Sequence, residues 1–262
     1  MSPRSSAARH PRWRRAVVAA ALAGWASVAT AGGTALPAPL AGFEAKYRVS
    51  NGTITLGTTR IELQPHERGW RYRSVTEATG LVGLVVQGQA VDSTLLEPHG
   101  DWLRPVRYRH LEPDGEDDVT VEFDWDRGRA TARHAQGERE LALEAGTVDG
   151  FSATLRLARA LADGAERLAM ATIDDKGERE ELVFRRAGRE RIEVPLGTFD
   201  TVRVDRVRRN SDRETITWLA PALSWVAVRI DQREDGELEG RLVLTDLAGD
   251  AADGLARDGT AD

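Results

Sequence analysis

The sequence predicts a mainly β protein in which a large curved antiparallel sheet, or open β-barrel, is covered by one helix. Apolar and polar residues alternate along many short runs, most clearly within residues 192–247. Side chains in a strand point alternately to its two faces, so this alternation indicates strands with one apolar and one polar face. Turn-forming pairs such as Asn51-Gly52 separate the runs, which favours hairpins between strands that follow one another.

The alternating runs predict strands along most of the chain. They cover residues 43–49, 53–63, 69–78, 91–96, 103–111, 118–125, 128–134, 138–143, 167–173, 181–186, 192–194, 198–204, 214–219 and 225–230, and a last strand follows Gly236. In one run near the C-terminus, Ile216, Trp218 and Ala220 form an apolar stripe on one face of the predicted strand. We expect that sheet to have one dry and one solvated face.

One segment has helical spacing instead. Four apolar residues recur three or four positions apart, namely Phe151, Leu155, Ala158 and Leu161. We therefore predict a single helix over residues 150–162, with Asp149 as its N-cap and Gly164 beyond its end.

The N-terminus resembles a secretory signal peptide. Arg14 and Arg15 end a basic segment, an alanine-rich apolar run covers residues 16–28, and Ala29-Thr30-Ala31 matches a cleavage site. We expect export to the periplasm, cleavage after Ala31 and no transmembrane span after cleavage. An uncleaved membrane anchor is the alternative.

The rest of the chain is expected to form one domain. Residues 1–31 are the signal peptide and residues 32–42, with two prolines, form a linker. Residues 43–248 form the β domain, and residues 249–262 form a small acidic tail that we expect to be disordered.

Charge and cysteine content exclude several functions. The formal net charge is −6, and the first 31 residues carry five arginines without any acid, so the remainder is five charges more negative. Such a surface repels nucleic acid, and we expect no nucleic-acid partner. The chain contains no cysteine, which excludes disulfides, thiolate metal sites and cysteine nucleophiles.

No catalytic residue, metal site or cofactor is predicted. The histidines lack the spacing of a zinc site, and His110 is interpreted as a solvated residue at a strand end rather than a base. Ser152 lacks the flanking glycine pattern of a nucleophile elbow and is interpreted as a residue of the first helical turn. Carboxylates are abundant in turns, but only a structure can show whether two of them face each other across a cleft.

Two sets of residues are candidate contacts for an apolar ligand. The first is aromatic and consists of Trp70, Trp102 and Trp218, for which core packing is the alternative. The second belongs to a continuous apolar run and consists of Leu81, Val82, Leu84 and Val86. That run is either a buried strand or a mobile lip beside a cavity.

Several segments resemble the DUF3108 family of exported bacterial proteins of unknown function. They are Tyr47 and the hairpin that follows it, Asp149 with Ser152, the run Pro195-Leu196-Gly197-Thr198-Phe199-Asp200-Thr201-Val202, Trp218-Leu219-Ala220-Pro221, and Val226-Ala227-Val228-Arg229. The resemblance covers residues 43–246. Where the family usually has a proline before the final Val-Arg strand, this chain has Trp225-Val226-Ala227. The resemblance implies an export signal and a large curved antiparallel sheet with a helix, similar in outline to periplasmic lipid-carrier half-barrels.

Three functional hypotheses remain open. The first is a non-catalytic periplasmic protein that binds an apolar ligand, such as a lipid, or an envelope protein partner on a concave sheet. The second is a hydrolase of an envelope polymer that uses paired carboxylates, with His110 as a possible acid or base. The third is a structural assembly module whose sheet edges pair with a partner strand.

Overall fold

The computed structural model describes residues 35–67, 69–83, 88–208 and 211–255. The expected signal peptide lies outside these residues. The described residues form fifteen strands: β1 Phe43–Asn51, β2 Ile54–His66, β3 Gly69–Ala78, β4 Ala90–His99, β5 Trp102–Leu111, β6 Val119–Asp124, β7 Arg129–His134, β8 Gly137–Ala142, β9 Val148–Asp149, β10 Arg167–Ile173, β11 Arg179–Val194, β12 Gly197–Val207, β13 Arg213–Ala220, β14 Val226–Glu234 and β15 Glu237–Ala248. Helix α1 covers Gly80–Gly83 and α2 covers Ala153–Ala162, with 3₁₀ turns at Pro221–Leu223 and Asp250–Gly254.

The strands form one sheet in which nearly all neighbours follow one another along the chain. Two meanders, β1 to β8 and β9 to β15, are joined where β1 pairs with β15. Every pairing is antiparallel except the short parallel contact of β9 with β10. β8 and β9 stand at opposite ends of the strand order, so the sheet does not close into a barrel. The mainly β prediction with one substantial helix is confirmed.

Helix α2 packs on the sheet through one apolar stripe. Leu157 and Leu161 share a core cluster with Val202 and Val204 of β12, and Leu155 belongs to the largest cluster of the molecule. Just before the helix, the ring of Phe151 stacks on Tyr72 of β3, with 4.1 Å between the ring centroids. The helical segment therefore joins the cores of the two meanders and fills the space over the sheet face.

The start of this helix differs from the prediction. The helix begins at Ala153 rather than at residue 150, and Ser152 rather than Asp149 occupies the N-cap position. The side chain of Asp149 nevertheless accepts hydrogen bonds from the backbone N–H groups of Phe151 and Ser152. Asp149 thus satisfies N–H groups at the helix entrance from three residues upstream, a role that an N-cap side chain normally fills.

Two strand predictions were wrong. Residues 181–186 and 192–194 belong to one 16-residue strand, β11, which has a bulge between Arg186 and Gly188. Strand β13 is not solvated on one face, because all five residues from Ile216 to Ala220 are buried. The turn between β11 and β12 folds back towards β15, where the N–H of Leu196 donates to the carbonyl of Leu244. The hairpin packs on the face of Ile216 and Trp218. The expected solvated face is covered by α2 instead, since Leu219 shares a core cluster with Leu157 and Leu161.

Three further expectations need correction. Residues 80–83 form a turn of helix rather than a strand. In the predicted linker, Leu36 and Leu40 pack against the largest core cluster of the β domain. In the tail, Asp250–Gly254 forms a 3₁₀ turn with Ala251 buried, so this part is ordered.

A buried charge network holds strands β11 to β15 together. Asp231 has no exposed surface and accepts two hydrogen bonds from each guanidinium group of Arg229 and Arg241, at 2.5–2.9 Å. The Arg229 guanidinium also lies 4.5 Å from the centre of the Trp218 ring, whose indole N–H donates to Glu190. Burial alone would raise the pKa of Asp231, but the two arginines outweigh it and lower the pKa to about 2.

Candidate functional site

Strands β4 and β5 place four polar side chains on one face. Asp92 pairs with His110 and Thr94 pairs with Tyr108 across the ladder. Residues two apart on a strand share a face, so Asp92, Thr94, Tyr108 and His110 lie together. Thr94 and Tyr108 are buried, whereas Asp92 and His110 lie nearer the rim.

His110 is held between two carboxylates. Its Nδ1 lies 2.9 Å from Asp92 Oδ1 and its Nε2 lies 3.2 Å from Glu112 Oε1. Its side chain is only 12% exposed, so the expectation of a solvated strand-end histidine was wrong. Burial would lower the pKa of His110, but the hydrogen bonds with Asp92 and Glu112 outweigh it and raise the pKa to about 10. At neutral pH His110 is therefore an imidazolium that donates from both nitrogens.

An acidic cavity of about 240 Å³ opens beside His110. Three chain segments meet there: the β5–β6 loop, the β7–β8 turn and the β10–β11 turn. Its charged and polar lining consists of His110, Glu112, Glu116, Asp117, His134, Gln136, Asp175, Lys176 and Glu178. The β10–β11 turn packs tightly on the first meander, since a Cβ added at Gly177 would lie 2.6 Å from the Cβ of Ala132. The cavity therefore forms where the two meanders meet.

The ion pairs of His110 predict a pH-dependent stability. A folded-state pKa of about 10 against about 6.5 in the unfolded chain gives stability that is complete below pH 6.5 and lost as the pH rises towards 10. We expect His110→Gln to lower the free energy of unfolding by about 2 kcal/mol at pH 6, since two carboxylates share the charge. The deficit should shrink at pH 9.5 in urea unfolding. His99→Gln, at an exposed strand end, is the control; a His110→Gln deficit that is independent of pH would contradict the assignment.

Asp149 forms a second buried polar site next to the first. It is fully buried, and Thr94 donates to its Oδ1 at 2.9 Å while Ser152 donates through its hydroxyl to Oδ2 at 2.5 Å. With the N–H groups of Phe151 and Ser152, four donors surround this carboxyl group. Burial raises the pKa of Asp149, and these hydrogen bonds oppose the rise. The site joins β4 of the first meander to the helix entrance of the second.

The three tryptophans selected from the sequence lie in or against the largest core cluster. Trp70 and Trp218 are buried members of that cluster, and Trp102 is partly buried against it, with the Arg159 guanidinium 5.4 Å from its ring centre. This arrangement matches the packing alternative. The other candidates do not test the ligand hypothesis: Leu81 and Val82 lie on α1, but their side chains are not described, and Leu84 and Val86 are outside the described residues.

Sequence reasoning missed Asp92 and Asp231, and it gave Asp149 only the role of an N-cap. Asp92 binds His110, Asp149 binds Thr94 and Ser152, and Asp231 binds two arginines. For Asp231 a signal was available, because Arg229 and Asp231 stand two apart on one strand and therefore on one face. For Asp92 the partner lies on another strand, and only the register reveals it. For Asp149 only the contact with Thr94 depends on the tertiary fold, since Phe151 and Ser152 follow it directly in sequence.

The structure offers no assembled metal centre in the residues it describes. None of its groups of three or more His, Asp or Glu side chains is arranged to hold a metal ion. Likewise, no helix within the described ranges combines the length and hydrophobicity needed to cross a membrane.

Comparisons with known proteins identify a family but no activity. No curated protein matches the chain. Two crystal structures are similar at 12% sequence identity: a β-barrel-like protein of the DUF1849 family from Brucella abortus, and a "putative lipoprotein" from Parabacteroides distasonis. The first has a TM-score of 0.49 and covers 80% of this chain and 98% of its own; the second has 0.33, 81% and 97%. The family model described as protein of unknown function (DUF3108) matches residues 46–243, most of the chain, and the protein therefore belongs to the DUF3108 family.

Proposed function

We propose that the protein is an exported, non-catalytic component of the bacterial cell envelope that binds a protein partner. The observation that carries the proposal is the occupied sheet face. Helix α2 and Phe151 fill the space where an apolar ligand would otherwise lie, and Trp70 and Trp218 are buried in the core. A protein that carries a lipid needs an apolar cavity of several hundred Å³. The cavity beside His110 is small and acidic, and a larger one beside β10 is lined mostly by charged side chains.

The protonation and hydrogen bonds of His110 argue against a catalytic role for it at this cavity. A general base needs a free lone pair and a pKa near the working pH. Both nitrogens of His110 face carboxylates, and its pKa is raised to about 10. The imidazolium therefore acts as a structural cation that joins β4, β5 and the loop after β5.

Native mass spectrometry tests this proposal. The full chain is expressed with its N-terminal segment, and the exported product is purified without detergent. We expect the mass of the polypeptide alone, and no apolar molecule in an organic extract. A known lipid-carrying periplasmic protein, purified in parallel, controls for ligand loss. Extra mass that disappears on denaturation, and reappears as a lipid in the extract, would contradict the proposal.

The acidic cavity favours one second candidate, a hydrolase of an envelope polymer. Glu112, Asp117 and Asp175 all line the same cavity, and glycoside hydrolysis uses two facing carboxylates. Cell-wall sacculi are the substrate to try. Release of soluble fragments by the wild type, abolished in Asp175→Asn but retained in Glu138→Gln, would favour the hydrolase over our proposal.

A further inference from the structure

The two free edges of the sheet differ in how they are protected. At one edge, β8 carries Glu138, Arg139 and Glu140 in succession, and most of its side chains are exposed. Charged side chains on an edge strand discourage the addition of another strand. At the other edge, β10 carries one charged residue, Arg167, which is followed by the uncharged run Leu168-Ala169-Met170-Ala171. Of the two described edges, the β10 edge is therefore the less protected against the addition of a further strand.

The backbone of β10 presents hydrogen-bonding groups to this edge. The N–H of Arg186 donates to the carbonyl of Glu166, so even-numbered residues of β10 bond to β11. The backbone N–H and C=O groups of the odd-numbered residues therefore point away from β11. The hydrogen bond from the Gly150 N–H to the Ile173 carbonyl agrees with this direction. β9 covers only Thr172 and Ile173. The N–H and C=O groups of Arg167 and Ala169 have no sheet partner among the described residues.

The space beside this edge is roomy and acidic. A cavity of about 470 Å³ lies there, and its floor is formed by the small residues Ala169 and Ala171. Three glutamates and one arginine line it, namely Glu144, Glu180, Glu181 and Arg179. Glu144 pairs with Arg179, and Glu180 pairs with Arg206. Glu181 is exposed and forms no ion pair with any described residue, so one negative charge at the cavity is available to an incoming cation.

We propose that the β10 edge, over residues 167–169, binds an extended basic segment of another protein as an added β-strand. Backbone hydrogen bonds to Arg167 and Ala169 hold the segment, and a lysine or arginine on it pairs with Glu181. A second copy of this chain is a poorer occupant, because two chains of net charge −6 repel each other. This inference rests on the proposed function, since it specifies how and where the partner binds.

The test uses a defined probe with the full exported protein. A fluorescent nine-residue peptide of alternating lysine and valine is titrated, and the same peptide with glutamate in place of lysine is the charge control. We expect the lysine peptide to bind at least ten-fold more tightly, with an affinity that falls as salt is raised. Hydrogen exchange should slow at the amides of Arg167 and Ala169 when the lysine peptide is present.

Matched variants distinguish peptide binding at the β10 edge from binding at the β8 edge. Ala169→Pro removes an outward N–H without a ladder bond to β11 and should weaken peptide binding at least ten-fold. Glu140→Pro makes the same change at an outward-facing position of β8 and should leave binding unchanged. Glu181→Lys should weaken binding similarly, whereas Glu138→Lys should not. If Ala169→Pro fails to fold, Glu181→Lys and the exchange measurement still decide the question.

Several outcomes would overturn the inference. They are equal binding of the two peptides, no binding of either, protection at other strands, or full binding by Ala169→Pro. Protection of the β10 amides that increases with protein concentration and needs no peptide would mean that a second copy occupies the edge. A second copy at the edge appears in the native mass spectrum as a dimer, and the other failures leave that spectrum unchanged. A failure of the proposed function appears there as a carried apolar molecule.

Discussion

Asp231→Ala should lower the free energy of unfolding by about 3 kcal/mol. The substitution leaves the guanidinium groups of Arg229 and Arg241 without the carboxylate that now accepts four hydrogen bonds from them. Removing one partner of a buried ion pair typically costs about 3–5 kcal/mol. We expect the lower end of that range, because the side chains of Arg229 and Arg241 are 23% and 30% exposed and water can solvate them partly.

Urea unfolding at pH 7 measures this effect. The matched control is Glu138→Ala, which removes an exposed ion pair with Arg133 and should cost less than about 0.5 kcal/mol. Equal effects of the two substitutions would show that the buried network contributes no more than a surface pair.

The same carboxylate predicts part of the acid sensitivity. The pKa of Asp231 is about 2 in the folded protein and about 3.9 in an unfolded chain. A lowered folded-state pKa gives stability that is present above pH 4 and lost as the pH falls towards 2. Asp231→Asn should therefore differ from the wild type most above pH 4, and the two curves should converge near pH 2.

Asp149→Ala should cost about 3 kcal/mol, whereas Asp149→Asn should cost only about 1 kcal/mol. Alanine leaves the hydroxyls of Thr94 and Ser152 and two backbone N–H groups without an acceptor in a buried place. Asparagine keeps its Oδ1 for three of the four donors, and the Ser152 hydroxyl can rotate to accept from the new amide group.

The pH dependence of the Asp149→Asn variant separates the effect of losing the carboxyl group from the effect of losing side-chain volume. Burial raises the pKa of Asp149, so the folded wild type holds its proton more tightly than the unfolded chain. The stability advantage of the wild type over Asp149→Asn should therefore be larger at pH 3 than at pH 7. Thermal unfolding at the two pH values measures it. Alanine and asparagine variants of equal stability would contradict the hydrogen-bonding role.

The strands could be read from the sequence where local chemistry determines them. Residues 69–78 and 167–173 alternate cleanly between turn signals, and the structure has strands with these bounds. No residue between Ala187 and Ile192 is apolar. Apolar and polar side chains therefore do not alternate in residues 187–191, although these residues lie within β11. The burial of Leu219 on the second face of β13 could not be foreseen, because it depends on where α2 packs.

The candidate site was harder to foresee, since it depends on register. His110 meets Asp92 only because β4 and β5 pair with a bulge between Leu95 and Leu96. A shift by one residue would turn one of the two side chains to the opposite face. A sequence supplies the residue types but not the register, so His110 looked solvated and unpartnered.

The ladder between β1 and β15 has a consequence for where this fold is weakest. The first and last strands of the domain lie side by side in the middle of the sheet, with Glu44 opposite Ala248. Chain ends usually fray first, but these are held between neighbours on both sides. The edges of the sheet are formed instead by strands from the middle of the chain, and residues 143–147 connect these two edge strands. A break in the polypeptide would thus do least damage between β8 and β9, and most within β1 or β15.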